Sequence, residues 1–132
     1  MALIGYVRVS TEDQATFSQF DELKAAGCGV IFEEKASGAS RSRPELAKAV
    51  ARMQRGDILV VARIDRLARS LSHLLGVIEG LETVGAHFKS LRDPIDTSTP
   101  QGRFALQVLG AAAELERALI RARTKAGRFR QV

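Results

Sequence analysis

Ser10 stands two residues after Arg8 in the run Gly5-Tyr6-Val7-Arg8-Val9-Ser10-Thr11, where an apolar stretch gives way to polar residues. A hydroxyl beside a fixed guanidinium suits attack on a phosphate, whose developing negative charge needs charged donors around it. A second cluster, Arg63-Ile64-Asp65-Arg66-Leu67-Ala68-Arg69-Ser70, follows another apolar stretch. Together they point to phosphoryl transfer on a polyanion. Singly, each signal has a plainer reading. A serine after a strand is usually a turn hydroxyl or a helix cap, although Thr11 is the better cap here. Asp65 between Arg63 and Arg66 reads equally as a surface ion-pair cluster. Arg43, after the Ser37-Gly38-Ala39-Ser40 loop, is weak evidence alone, and Arg117 and Arg123 read alone as solvated helix charges. His73 and His87 have no ligand spacing and no Ser-His-Asp pattern, and the single Cys28 offers neither a disulfide nor a zinc site. Activation of the serine would fall to arginines and a carboxylate.

The charge sharpens this when it is divided. Residues 1–96 hold 13 Lys/Arg and 13 Asp/Glu, whereas residues 97–132 hold 7 and 2, which supplies the whole net charge of +5. From Arg117 onward there are six basic residues and no acidic one. Such a one-sided basic stretch is an electrostatic footprint for nucleic acid or a membrane surface. No apolar run approaches the roughly 20 residues of a membrane span, and no secretory signal is present, so the expected setting is cytoplasmic.

The elements that must position these residues follow an α/β alternation. Leu3–Val9 reads as a buried strand, and Thr11-Glu12-Asp13-Gln14 has the form of a capping box opening a helix that Gly27 ends. Val30–Phe32 reads as a short strand and Ser37–Arg43 as a flexible polar loop. Pro44 suits the first turn of a helix to about Gln54, stopped by Gly56. Ile58–Ala62 reads as a central strand, Arg63–Arg69 as a loop, about Ser72 to Val84 as a helix ended by Gly85, and Ala86–Leu91 as a strand. The expected fold is a mostly parallel sheet flanked by helices, with active groups beyond the carboxyl ends of its strands. From Thr99-Pro100 the chain changes character: Gln101 to about Gly127 reads as one helix of roughly 40 Å, apolar nearly all round. One domain cannot bury every face of it, so the helix should project and serve self-association. The expected organisation is a catalytic core over residues 1–98 and a long C-terminal helix over 99–132.

These residues carry a resemblance. Tyr6-x-Arg8-x-Ser10, Asp65-Arg66-Leu67-x-Arg69, Ile95-Asp96-Thr97-Ser98 and Glu114-x-Glu116-Arg117…Arg123-Thr124 resemble the catalytic domain of serine recombinases, the small resolvases and DNA invertases. The stretch Gly85-Ala86-His87-Phe88…Gly102-Arg103-Phe104 is more similar to the invertase branch. The resemblance implies transesterification of double-stranded DNA without metal, nucleotide or other cofactor. Ser10 would attack a phosphodiester, giving a 5′-phosphoseryl intermediate and a free 3′-hydroxyl. It implies that Arg8, Arg66 and Arg69 surround the scissile phosphate, that Arg43 is the arginine of the flexible loop, and that Asp65 orients arginines or handles a proton. Tyr6, Gln14, Gln19 and Glu34 match supporting positions. Arg117 and Arg123 match arginines of the helix that in the family makes the dimer interface and reaches DNA. The implied assembly is a homodimer, with a tetramer in the active synaptic complex and accessory DNA-bending proteins in some systems.

Two departures stand out. Ala122 precedes Arg123 where the family commonly has an acid that helps hold the inactive dimer, which implies easier tetramer formation. Relatives also continue into a linker and a helix-turn-helix domain, whereas this sequence ends at Phe129-Arg130-Gln131-Val132. The expectation is therefore an excised catalytic domain or a truncated recombinase. A competing reading is a non-catalytic partner that pairs with full-length subunits and inhibits them. A receiver domain shares the alternation but needs acids where Arg8 and Ser10 stand, and is set aside.

Overall fold

A computed structural model describes residues 1–9, 16–35, 43–67 and 71–130, with the side chains of 16–18, 65, 66 and 125–130 outside that description. Among them four strands, β1 (Leu3–Val9), β2 (Val30–Lys35), β3 (Ile58–Val61) and β4 (His87–Ser90), form one sheet in the order β2-β1-β3-β4. All three pairings are parallel. Among the described residues five helices flank it: α1 (Thr16–Ala25), α2 (Pro44–Arg52), α3 (Ile64–Leu67), α4 (Leu71–Thr83) and α5 (Pro100–Arg130).

Alternation along β1 sorts its side chains onto two faces, and both are covered, as a parallel sheet requires. Ile4 and Tyr6 join Leu59, Val61 and Phe88 on the face packed by Leu46, Ala49 and Met53 and by Leu74, Ile78 and Leu81 of α4. Those last three recur at helical spacing, giving α4 a single apolar stripe. Val7 and Val9 lie on the other face with Ile58 and Val60, against Phe20 and Leu23 of α1. Each fully buried aliphatic side chain here contributes on the order of 1.5–3 kcal/mol. Gly27 and Gly85 close α1 and α4 with φ of 99° and 79°, a left-handed conformation that a Cβ disfavours.

The expected strand–helix order holds, with one addition. The stretch read as a loop from Arg63 contains a helical turn, α3, whose buried Leu67 joins the core. Four residues are too few for helical periodicity to register in a sequence. The capping box at 11–14 and most of the Ser37–Arg43 loop lie outside the described residues.

β4 is a sheet edge that the chain covers with itself. Thr97 N–H donates to Phe88 O (2.9 Å), the buried Thr97 hydroxyl accepts from Phe88 N–H (2.9 Å), and Ser90 N–H donates to Ile95 O (2.9 Å). Immediately beyond this bridge α5 begins. Thr99 caps it, its Oγ1 accepting from Gly102 N–H at 3.0 Å, with Pro100 at the first helical position. Ala105, Leu106 and Leu109 pack against the core and Ala113 is buried, whereas residues 114–124 are all exposed. Thirty-one residues make a helix of about 46 Å, so α5 runs past the sheet it is rooted in. Among the described residues, no helix is long and apolar enough to cross a membrane.

Asp57 ties the opposite, amino end of the sheet. Its carboxylate accepts from Gln54 N–H (3.0 Å) and from Ala2 N–H (3.0 Å), and these bonds hold its pKa below the usual carboxylate value. A depressed pKa contributes stability that is present above the unfolded value of about 3.9 and lost as pH falls through the folded one. Asp57→Asn should therefore flatten the fall in urea midpoint on acidification below about pH 4 relative to the parent chain. At the root of α5 the constraint is steric: a Cβ on Gly102 would lie 1.8 Å from Asp96 O. Gly102→Ala should lower unfolding stability by about 3 kcal/mol or more, read by urea denaturation, since backbone rather than a flexible side chain must give way.

Candidate active site at the carboxyl end of the first strand

Arg8 sits near the carboxyl end of β1, where parallel sheets place their ligands. Its Cα partner across the β1–β2 pairing is Glu34. Tyr6 lies two residues earlier on the same face of the strand. Glu34 is buried, only 3 % exposed, so its charge must be met by donors. Both oxygens accept from Glu45 N–H, at 3.2 and 3.3 Å, and Oε1 also accepts from Leu46 N–H at 3.4 Å. These are open N–H groups of the first turn of α2, whose positive dipole end also favours an anion. The Tyr6 hydroxyl donates to Glu34 Oε1 at 3.4 Å.

Arg43 is the residue that caps α2, and its own side chain makes no capping bond. Its guanidinium acts on the Tyr6 phenol instead, and its Nη1 is buried with no hydrogen-bond partner among the described residues. Arg8 acts electrostatically on the same phenol. Burial first, and then the negative Glu34, push the Tyr6 phenol up to about 12, against the opposing pull of Arg43 and Arg8. Tyr6 therefore stays protonated through the neutral range. It is a donor, not a nucleophile.

Arg8, Tyr6, Glu34 and Arg43 thus come together from three elements. Gln19 is buried on α1, one turn before Leu23, and its amide nitrogen has no hydrogen-bond partner among the described residues. Asp65 and Arg66 lie on the backbone of α3, with their side chains outside the description, while Ser10, Gln14 and Arg69 lie outside the described residues altogether. Arg117 reaches α4, its Nη1 donating to Ser72 Oγ at 3.2 Å. Arg123 is exposed further along α5, about 9 Å on. The sequence alone does not bring α5 alongside the first turn of α4.

Two further residues stand near these elements without having been expected. His73, on the first turn of α4, has its pKa lowered by burial and then by the positive Arg43, which favours the neutral imidazole. Asp93 accepts from Ile64 N–H, the first residue of α3, at 2.8 Å. Neither contact leaves a local sequence signal, because the partners are far apart in the chain. Concavity is no guide either: a groove of about 680 Å³ lined by Ala2, Ile4, Gly29, Arg52 and Asp57 opens at the amino end of the sheet, away from Arg8.

Comparison with known proteins bears on this arrangement. Residues 3–131 match the family described as Resolvase, N terminal domain. A probable DNA-invertase y4cG of Sinorhizobium fredii is 68% identical over 125 residues, covering 95% of this chain and 41% of that protein. The DNA-invertase of Escherichia phage P1 is 55% identical over 125 residues, covering 95% of this chain and 67% of that one. The chain therefore spans well under half of the first relative and about two thirds of the second. Among solved structures, the N-terminal catalytic domain of TP901-1 integrase superposes with a TM-score of 0.74 at 30% identity, covering 90% of this chain and 98% of that one.

The network around Glu34 can be probed without DNA. Glu34→Ala strands the first N–H groups of α2 in a buried setting and should cost about 1–3 kcal/mol in urea denaturation. Tyr6→Phe removes only a long hydrogen bond and should cost under about 1 kcal/mol in the same measurement.

Proposed function

Given that this chain belongs to the resolvase N-terminal domain family, we propose that it is a serine recombinase catalytic domain of DNA-invertase type, cleaving and rejoining double-stranded DNA through Ser10. Ser10 Oγ attacks a backbone phosphorus, and the bond to the 3′ oxygen breaks as the Oγ–P bond forms. The serine gives up its proton and the departing 3′ oxygen gains one. The product is a 5′-phosphoseryl enzyme with a free 3′-hydroxyl, which reverses the step on a new partner end. One phosphodiester replaces another, so no nucleotide is consumed.

Guanidinium groups would carry the charge. Arg8 and Arg43, joined by Arg66 and Arg69, surround the phosphate, where bidentate donors match its oxygens and stabilise the pentacoordinate state. Asp65 orients arginines or takes a proton. Tyr6, Gln14, Gln19 and Glu34 support the site, Glu34 by fixing the end of α2 that bears Arg43. The observation that carries this reading is the convergence of Arg8 and Arg43, from different elements, on Tyr6 and Glu34 at the carboxyl end of β1.

Assembly would follow from α5. Phe104, Val108, Leu115, Leu119 and Ile120 are each at least half exposed, and so large an apolar surface on a soluble domain calls for a partner. A second copy covering it gives a dimer, and two dimers bring two DNA sites together. Arg117, Arg121 and Arg123, on the exposed length of α5, would contact DNA phosphates, with affinity that falls as salt rises.

The test supplies targeting separately from chemistry. The chain is fused to a zinc-finger DNA-binding module and given supercoiled plasmid carrying two inverted finger sites. After a denaturing quench, mass spectrometry should find a DNA phosphate on Ser10, absent in Ser10→Ala. A folded fusion that binds the plasmid yet forms no adduct would overturn the reading of a catalytically active domain in favour of a locked dimer or a non-catalytic partner acting through α5.

A further inference from the structure

We propose that Asp93 is a positioning residue for the reaction: its carboxylate fixes the turn that carries Asp65 and Arg66. The proposal rests on the recombinase reading above for its catalytic meaning, and on geometry for the clamp itself.

Helix α3 is described over the four residues Ile64–Leu67, and contacts at both ends of that span place it. At one end, Leu67 is fully buried in the core. At the other, Ile64 N–H donates to Asp93 Oδ2 at 2.8 Å. Asp65 and Arg66 are the two residues between these anchors.

Asp93 can act as a clamp because its own main chain is immobilised on both sides. Before it, Leu91 N–H and Arg92 N–H donate to Val61 O (2.9 Å) and Ala62 O (3.0 Å), extending the β3–β4 pairing past the strand ends. After it, Ile95 N–H donates to Asp93 O at 2.7 Å. Its side chain is held as well, since the hydroxyl of the buried Ser90 donates to the same Oδ2 at 2.7 Å. A charged acceptor with two donors makes stronger and shorter bonds than a neutral one. The loop after β4 thus presents a fixed oxygen to the first turn of α3, and a displacement of that turn of about an ångström would be felt strongly in a phosphoryl transfer that depends on alignment.

Asp93→Asn keeps an oxygen able to accept from Ile64 and Ser90, whereas Asp93→Ala removes it. In the zinc-finger fusion, at saturating protein, the rate of Ser10 adduct formation should fall roughly tenfold to a hundredfold in Asp93→Ala. The protein concentration giving half-maximal rate should stay within twofold, and Asp93→Asn should recover most of the rate. Ser90→Ala, which removes only one of the two donors, should lose severalfold and serves if Asp93→Ala does not fold. Amide hydrogen exchange, which needs no DNA, should show loss of protection at Ile64 in Asp93→Ala and not in Asp93→Asn.

An Asp93→Ala rate within twofold of the parent, an Asp93→Asn rate as low as that of Asp93→Ala, or unchanged exchange at Ile64 would each overturn the proposal. Where Asp93→Ala does not fold, a Ser90→Ala rate equal to the parent would do the same. If the parent fusion forms no adduct, the recombinase reading falls and the catalytic meaning of Asp93 falls with it, while the exchange result still decides whether the clamp exists.

Discussion

A carboxylate buried as deeply as that of Glu34 is tolerated only when donors surround it, and the donors it takes determine what else can move. Its oxygens hold the first turn of α2 and meet the phenol of Tyr6, so β1, β2 and α2 are fixed to one another at a single point. Arg43 is the residue before that turn, and its direction of departure is set by where Glu34 pins the helix. Tyr6, kept protonated by burial and by the negative charge beside it, gives a hydrogen-bond donor that does not change state near neutrality. Arg8 and Arg43 are thereby presented from segments that these hydrogen bonds tie together.

The same use of buried acceptors recurs where the fold meets α5. Thr97 closes the outer edge of β4 with both its backbone and its hydroxyl, and Thr99 then caps the helix with the close approach of Gly102 to the Asp96 backbone directly behind it. A helix of this length has a long lever arm, and without a tight root its far end would wander. The root allows little rotation, so the exposed apolar positions from Leu115 onward leave the core in a defined direction. That is the condition under which two copies can meet in one register rather than many.

How much of this was legible in the sequence depended on the range of the signal. The alternation of strands and helices, the stops at Gly27 and Gly85 and the long helix after Thr99-Pro100 are local patterns, and the structure contains each of them. Arg8 was legible from its place at a strand end, and Tyr6, Glu34 and Arg43 from motif resemblance. What local patterns could not show was that Glu34 holds α2 through backbone donors, because those donors are peptide groups common to every residue. Helix α3 was invisible for a different reason, since one turn carries no periodicity. Asp93 was passed over because an aspartate in a loop after a strand is ordinary, and only the fold brings it against Ile64.

Glu34, Asp57 and Asp93 share a logic that bears on the site. Each is an acid whose oxygens accept backbone N–H groups, Glu34 from the start of α2, Asp57 from Ala2 before β1 and from Gln54 just after α2, and Asp93 from the start of α3. Acids held this way have their oxygens met by peptide groups of the segments they join. With its buried acids answered by the peptide backbone, the fold brings Arg8 and Arg43 to bear on the protonated phenol of Tyr6 near the carboxyl end of β1.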